Sequence, residues 1–415
     1  MALKAVNVSD VPNLDQVPEN NASLYSSRFN SEEMELNVEA ASFRAAKFLV
    51  IGHRGHGMNI MQSSDSRMEA IKENTILSFN SAAKFPIDFI EFDVQVTKDD
   101  CPVIFHDDFI FSQENGTVYE KRVTDLRLEE FLSFGPQKEA GKQGKCLLRK
   151  SKDGKILNWN VETDDPFCTL AEAFQKVDSS LGFNIELKFD DNVVYHQDHL
   201  THVLQVILQV VSEYAKDRPI IFSSFHPDAA QLVRKLHNTY PVMTYAYTIF
   251  RHHRQTYILV DLVLKVCFVS GNEQVFFLTN GGTQVYYDSR RNSLEEAIQV
   301  CLEGGLQGIV SEIKGVFRNP GAVPKIKEAK LSLLTYGKLN NVPEAVCMQH
   351  LMGTDGVIVD FVQEISHAVN DMIIKPLNES LKDGNEEGAE AKSKVQFSQQ
   401  ELSFLLKLIP ELIQH

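Results

Sequence analysis

The sequence lacks the features that would mark a nucleic-acid-binding, membrane-spanning or disulfide-stabilised protein. Its formal net charge is -15 at pH 7, whereas nucleic-acid binders carry a basic footprint. No run reaches the roughly 18 to 20 apolar residues that a membrane helix needs, and the nearest candidate, 256–270, is interrupted by Asp261 and Lys265. The six cysteines are scattered without a CxxC pair, which favours reduced thiols in a reducing compartment.

The composition is typical of an ordinary soluble globular protein, with 43% hydrophobic and 23% charged residues. The N-terminus has no apolar signal-peptide core. Asp10, Asp15 and Glu19 also make this region acidic, which fits a plastid or mitochondrial transit peptide poorly. The residues themselves therefore give no clear cellular address. Because the chain is acidic, an anionic substrate would have to be received by local cations or by a metal ion.

Short apolar runs alternate with amphipathic stretches along most of the chain, which predicts eight strands that are each followed by a helix. Because the runs are apolar almost throughout, we expect parallel strands that are covered on both faces. Eight repeats favour closure into an α/β (β/α)8 TIM barrel over residues 47–375, and an open doubly wound sheet is the alternative. The predicted strands are KFLVIGH, FIEFDVQV, FNIELK, PIIFSSF, VFFLT, GIVSE, LSLLTY and GVIVD.

Three segments are predicted to lie outside this single barrel domain. Residues 1–46 form an N-terminal extension. Residues 376–396 are polar and acidic, which predicts a disordered linker. Ser398 and Glu401 form a capping box, which predicts a C-terminal amphipathic helix over residues 397–415.

Carboxylates occupy the ends of the second and third predicted strands, where a barrel places its active site. Glu91 and Asp93 lie two residues apart and therefore share one face of a strand, as do Glu186 and Lys188. Charged groups inside apolar strands are costly unless they are paired or bound to a metal. An all-oxygen ligand set without cysteine favours Mg²⁺ or Ca²⁺. The alternative is a barrel ion network in which Glu91 or Glu186 pairs with Lys188 or Arg54.

Two histidines are predicted to meet the carboxylates at the same barrel mouth. His53 follows the first predicted strand directly, and Arg54 offers a forked donor suited to phosphate oxygens. The segment 93–106 predicts a strand, a turn at Lys98-Asp99-Asp100 and a return strand that brings His106 back near His53. Two imidazoles can divide general-base and general-acid roles near neutral pH. The sequence leaves open which histidine takes which role.

The motifs in this order resemble those of one enzyme family, the glycerophosphodiester phosphodiesterases, and the resemblance is close to the plant, plastid-type members. It covers roughly residues 48 to 370, and the combination of HRG, ExD and HD in this order is highly specific. The motifs that carry it are GHRG, ENT, FIEFDVQVTKDDCPVIFHDD, FNIELK, IIFSSFHPDAA and GVIVD.

The resemblance implies a TIM barrel that cleaves glycerophosphodiesters to sn-glycerol 3-phosphate and an alcohol, in phospholipid turnover and phosphate recycling. It implies a Mg²⁺ cofactor, with Ca²⁺ as the alternative, and a plastid location, with the cytoplasm as the alternative. It also implies roles for seven residues: His53 and His106 as the catalytic pair, Glu91, Asp93 and Glu186 as metal ligands, and Arg54 and Lys188 on the phosphate.

Two other functions stay open at this point. One is a related phospholipase that acts on intact lipids and would need an apolar entrance. The other is a catalytically silent barrel kept for binding. The predicted partner is a small-molecule glycerophosphodiester, with no nucleic acid and no transmembrane segment. The basic, glycine-rich segment 135–155 is interpreted as a solvated loop.

Residues 243–274 form an insertion ahead of the fifth predicted strand, where the resembling family runs straight into that strand. Its apolar run has neither strand alternation nor a clean helical stripe. Long structureless insertions are uncommon in compact domains, and exposed aliphatic residues promote aggregation. The leading hypothesis is translation from an unspliced or alternative exon. The rival hypothesis is a packed extra helix that binds a partner.

Overall fold

The computed structural model describes residues 48–135, 146–151, 153–239 and 273–374, together with four short strands between residues 242 and 267. The predicted N-terminal extension (1–46), linker (376–396) and C-terminal helix (397–415) lie outside the described residues.

Eight parallel strands close into a barrel, as the alternation predicts. Closure is complete because the first strand pairs in parallel with both the last strand and the second. Each of the remaining neighbours in the ring is also a parallel pair. The strands are β1 (Leu49–Gly52), β2 (Phe89–Val96), β3 (Gly182–Leu187), β4 (Ile220–Ser224), β5 (Glu273–Thr279), β6 (Gly308–Glu312), β7 (Ser332–Tyr336) and β8 (Gly356–Val359).

A principal helix follows each barrel strand and covers its outer face. A shorter helix, Ile313–Arg318, precedes the sixth of them, and Leu128–Leu132 lies in the segment after β2. The eight are α1 (Ile76–Ala82), α2 (Leu170–Lys176), α3 (Gln197–Tyr214), α4 (Pro227–Thr239), α5 (Leu294–Gly304), α6 (Ala322–Glu328), α7 (Pro343–Met352) and α8 (Val362–Val369).

The strands are buried on both faces, which explains why they are apolar almost throughout. Side chains that point outward pack with the helices in one large cluster that includes Phe92 and Phe183. Side chains that point inward fill the barrel and include Ile51, Phe276 and Leu334. The barrel interior is therefore a packed core, and the C-terminal ends of its strands are where barrels of this kind carry an active site.

Local capping explains where two of the helices begin. Thr169 and Glu172 form a reciprocal capping box at the start of α2, as their spacing indicates. The first helix begins at Ile76, because the side chain of Thr75 caps it by accepting a hydrogen bond from Ser78 N. Asn74, just ahead of the cap, has a left-handed φ of 57° and does not join the helix, and its side chain reaches Asp93 on β2.

A small antiparallel sheet, the inserted sheet, lies between β2 and α2. Its four strands, in spatial order, are Thr117–Arg122, Phe109–Glu114, Cys146–Lys150 and Ile156–Asn158. The interpretation of residues 135–155 as a solvated loop is therefore wrong where they are described. Leu147, Leu148 and Arg149 are buried, because this strand pairs on both sides and Leu147 joins a hydrophobic cluster with Phe105 and Trp159.

The segment interpreted as an insertion contains short strands where it is described. Val242–Thr244 pairs with Lys265–Cys267, and Phe250–His252 pairs with Gln255–Tyr257, both antiparallel. None of these described pieces is a helix. The segment joins α4 to the start of β5, and its predicted boundary at 274 overlaps that strand by two residues, because β5 already begins at Glu273.

Two predictions from composition can be compared with the described part of the chain. The helices found there include none that is long and apolar enough to cross a membrane. Cys101, Cys146, Cys168, Cys301 and Cys347 are free thiols.

Candidate active site

The turn after β1 brings a histidine and an arginine to the C-terminal mouth of the barrel. A Cβ atom on Gly52 would lie 2.1 Å from the carbonyl oxygen of Gly55. Gly55 itself has a φ of +91°, and a Cβ there would lie 2.5 Å from Ser78 Oγ. Both positions therefore require glycine, so that the backbone can fold back on itself and present His53 and Arg54.

Three carboxylates from two adjacent strands converge beside this turn. One oxygen each from Glu91, Asp93 and Glu186 lies within 4.8 Å of the other two. The convergence follows from register, because Asp93 of β2 is paired directly with Glu186 of β3. Glu91 and Asp93 are buried, and the side chain of Glu186 is 12% exposed. The residues predicted as metal ligands are thus brought together.

The electrostatics of these three carboxylates fit a bound divalent cation. Burial and the neighbouring Asp93 raise the pKa of Glu91, and burial raises the pKa of Glu186. Asp93 Oδ1 is buried and has no hydrogen-bond partner. Like charges that crowd together out of water are costly unless a cation neutralises them. The donors are all oxygens, which suits a hard cation such as Mg²⁺ or Ca²⁺.

Neighbouring groups fix the orientation of two of these carboxylates. The backbone N–H of Arg54 donates to Glu91 Oε2 at 2.9 Å. Asn74 Nδ2 donates to Asp93 Oδ2 at 2.8 Å, whereas Asp93 Oδ1 accepts no hydrogen bond. Such second contacts determine ligand geometry and metal affinity.

An aspartate at the end of β8 orients the first histidine. His53 Nδ1 lies 2.7 Å from Asp360 Oδ1, and His53 Nε2 lies 3.9 Å from Glu91 Oε2. Burial alone would lower the pKa of His53, but the charge and hydrogen bond of Asp360 outweigh it and raise that pKa. Asn341 Nδ2 donates to the other oxygen of Asp360 at 2.8 Å. His53 is therefore fixed with Nε2 toward the carboxylates.

The predicted hairpin brings the second histidine back along β2. The return strand Pro102–Ile104 pairs antiparallel with β2, and Phe105 N donates to the carbonyl oxygen of Asp93 at 3.0 Å. His106 Nδ1 lies 2.6 Å from Asp107 Oδ1. Burial, Arg54 and Lys188 lower the pKa of His106 to about 4. The two histidines therefore have opposite pKa shifts.

The two cations predicted to hold phosphate also pair with carboxylates. Lys188 Nζ donates to Glu186 Oε1 at 2.9 Å and lies 3.6 Å from Asp93 Oδ1. Arg54 Nη1 donates to Glu73 Oε1 at 2.8 Å. The ion network considered as the alternative is thus present between Glu186 and Lys188. The Arg54 side chain pairs with Glu73 and Asp93 instead of Glu91 or Glu186.

Several residues of this site have no role predicted from the sequence, among them Asp360, Asp107, Asn74 and Arg149. Asp360 and Asp107 lie in the motifs GVIVD and FIEFDVQVTKDDCPVIFHDD, and their positions at a strand end and beside His106 could have indicated a role. Asn74 lies in the motif ENT. Arg149 lies in the segment taken for a solvated loop, and its local sequence carries no signal, since only the tertiary fold brings it to Asp107.

Comparison with known proteins agrees with this geometry. The family model described as "Glycerophosphoryl diester phosphodiesterase family" matches residues 53–263 and 260–364. The chain belongs to this glycerophosphoryl diester phosphodiesterase family. The two matches meet at residues 260–263, inside the segment interpreted as an insertion.

The family assignment is supported by relatives over the whole chain. A chloroplastic glycerophosphodiester phosphodiesterase of Arabidopsis thaliana is 60% identical over 416 residues, which cover 100% of each chain. A second glycerophosphodiester phosphodiesterase of the same organism is 59% identical over 417 residues, again 100% of each chain. A solved structure from Silicibacter pomeroyi, named for the same activity, has a TM-score of 0.53 and 18% identity over 78% of this chain and 94% of that one. That likeness supports the barrel fold.

Proposed function

We propose that the chain hydrolyses glycerophosphodiesters to sn-glycerol 3-phosphate and an alcohol. One observation carries the proposal: two histidines, each with Nδ1 bound to an aspartate, border a cluster of three carboxylates at the mouth of a barrel of this family. The substrate class would include glycerophosphocholine, glycerophosphoethanolamine and glycerophosphoglycerol, which share the glycerophosphate end.

His53 and His106 are proposed as the general acid–base pair. Proton transfer requires one imidazole that can accept a proton and one that can donate it. The opposite pKa shifts of the two residues support this division. Because each Nδ1 is bound to a carboxylate, each Nε2 is left to exchange a proton with the attacking hydroxyl or with the leaving alcohol.

Glu91, Asp93 and Glu186 are proposed to hold one divalent cation, Mg²⁺ or alternatively Ca²⁺. When bound, such a cation neutralises negative charge on the phosphoryl oxygens. Arg54 and Lys188 are proposed to hold the phosphate beside it, because both keep their charge next to the carboxylates. Burial disfavours the charge of Lys188, but Glu186 and Asp93 outweigh it and raise the pKa of that side chain.

We also propose that the protein acts in plastids. The support is the relative at 60% identity whose name places it in the chloroplast. The first 47 residues lie outside the described part of the chain, and their acidic composition favours the cytoplasmic alternative. Import of the full chain, fused at its C-terminus to a fluorescent protein, into isolated chloroplasts tests this: protection from added protease supports it, and complete digestion contradicts it.

Substrate choice tests the proposed activity. The purified chain with Mg²⁺ is offered glycerophosphocholine in one arm and phosphatidylcholine vesicles in the other. The proposal predicts sn-glycerol 3-phosphate in the first arm, and loss of that product in His53→Ala and His106→Ala. Turnover of the vesicles alone would favour the phospholipase alternative. No turnover in either arm, with the chain folded, would favour the silent barrel.

A further inference from the structure

One buried arginine of the inserted sheet, Arg149, extends into the active site. Arg149 lies on the strand Cys146–Lys150, which is held on both sides by antiparallel partners. It is 9% exposed, and its guanidinium carbon lies 4.6 Å from the centre of the Trp159 ring. A guanidinium that is this buried needs hydrogen-bond acceptors for its N–H groups. The identity of those acceptors therefore indicates the role of the arginine.

Two of those acceptors belong to the environment of the reacting groups. Arg149 Nε and Nη2 lie 2.9 Å from the two oxygens of Asp107, a forked contact with one carboxylate. Arg149 Nη2 also donates to Glu73 Oε1 at 2.9 Å, the same oxygen that accepts from Arg54. One guanidinium therefore fixes the partner of His106 and the partner of Arg54 together.

We propose that Arg149 is a positioning residue for the reaction, acting on His106 through Asp107. Asp107 Oδ1 accepts from both Arg149 and His106 Nδ1. The fork fixes the rotation of the carboxylate, and the carboxylate in turn fixes the imidazole ring and its tautomer, with Nδ1 protonated and Nε2 directed to the substrate. The inserted sheet thereby becomes part of the catalytic apparatus. The inference rests on the proposed role of His106.

Arg149→Lys is the variant that separates positioning from charge. Lysine keeps the positive charge but offers a single ammonium in place of the planar fork, so it cannot hold both oxygens of Asp107. We expect kcat to fall about 10- to 100-fold, part of the roughly 10²- to 10⁴-fold that general acid–base catalysis contributes. We expect KM to stay within about threefold, because Glu73 keeps its hydrogen bond from Arg54, the residue proposed to hold the phosphate.

Arg122→Lys is the matched control. Arg122 lies on the same sheet, pairs with Asp190 at 2.5 Å and stacks over the Phe109 ring at 4.4 Å. It has none of the contacts with Asp107 that Arg149 makes. We expect kcat and KM of Arg122→Lys to match those of the parent enzyme.

Asp107→Asn gives a second measurement if Arg149→Lys folds poorly. Asparagine keeps the size of the side chain but can turn its amide toward His106, which disfavours the required tautomer. We expect the same loss of kcat, and we expect the double variant to be no slower than the slower single variant, because residues that act as a unit are not additive. The ¹⁵N signals of His106, assigned with His106→Gln, should show loss of the Nδ1-protonated tautomer in both variants.

The outcomes separate this inference from the proposed function. His106→Ala at parental activity would contradict both. An inactive His106→Ala, with folded Arg149→Lys and Asp107→Asn each within about threefold of the parental kcat, would overturn only the positioning role. The positioning role is also overturned if KM rises with kcat unchanged, or if the fold losses of kcat in the two single variants multiply in the double variant. A tautomer that stays as in the parent would also overturn it.

Discussion

At the scale of single residues, the site depends on pairs in which one side chain orients another. Asp360 orients His53, and Asn74 orients Asp93. A side chain held by packing and hydrogen bonds does not have to be ordered again in each turnover, which is the advantage of a preorganised site. Removing the orienting partner should therefore reduce rate more than it reduces stability.

Asp360→Asn should slow turnover and shift its pH dependence. Asparagine carries no charge, so the pKa of His53, which Asp360 raises, should fall. The protonated form of His53 is then lost at lower pH, and the limb of the pH–rate profile that reports His53 moves toward acid. We expect kcat to fall about 10- to 1000-fold, within the range of general acid–base catalysis. Initial rates across pH measure both effects.

Asp355→Asn is the control for that prediction. Asp355 precedes β8 at the opposite end of the barrel and accepts a hydrogen bond from Leu333 N at 2.6 Å. Its loss should lower thermal stability and leave the pH–rate profile in place. An Asp360→Asn enzyme with the parental profile and kcat would show that Asp360 does not govern His53.

Glu186→Gln should reduce metal affinity far more than it reduces stability. The change removes one negative ligand from the cluster but keeps the volume of the side chain. We expect Mg²⁺ affinity to fall by at least about 10-fold, the lower end of the loss seen even when a partner of a metal ligand is changed. Calorimetric titration with Mg²⁺, beside thermal unfolding of the metal-free chain, measures the two quantities separately.

Glu312→Gln provides the comparison, because Glu312 ends β6 on the same barrel face but does not belong to the carboxylate cluster. Its Mg²⁺ affinity should equal that of the parent. Equal affinities for all three proteins would remove Glu186 from the proposed metal site.

At the scale of the elements, the turn after β1 depends on backbone that only glycine permits. Gly55→Ala would combine a positive φ with a Cβ 2.5 Å from Ser78 Oγ. We expect a loss of about 1–3 kcal/mol from strain, with crowding added to it. Gly116→Ala shares the positive φ, at +80°, but has nothing within 4 Å of the new Cβ. Thermal unfolding should give a lower Tm for Gly55→Ala than for Gly116→Ala. The reverse order would contradict the expected clash with Ser78.

The segment interpreted as an insertion leads to a prediction about another element, β5. Because Glu273 and Gln274 already pair with Ile220 and Ile221, a deletion must stop at residue 272 to keep the strand intact. Deleting residues 243–272 should raise soluble yield and leave glycerophosphodiester turnover unchanged, since the segment enters at the N-terminal face of the barrel, away from the chemistry. A deletion that unfolds the barrel would contradict the exon hypothesis.

At the scale of the whole molecule, the barrel and the carboxylate cluster could be predicted because both follow from local patterns. Strand periodicity specifies the eight repeats, and a barrel brings every strand end to one mouth. Because β2 and β3 are neighbours in the closed barrel, Glu91 and Asp93 lie close to Glu186. Asp360 follows the eighth predicted strand, so the same rule could have placed it beside His53. Arg149 reaches Asp107 from the inserted sheet, which the strand pattern does not predict, so only the packed structure indicates its role.

The central claim is a metal-assisted phosphodiesterase, and the most direct measurement is release of sn-glycerol 3-phosphate from glycerophosphocholine by the full chain. The reaction is followed after exhaustive chelation and again after Mg²⁺ is added back, with Ca²⁺ in a parallel sample. We predict no product from the chelated protein and recovery of turnover with one of the two cations. Full turnover after chelation, or none with either cation while the chain stays folded, would contradict the claim.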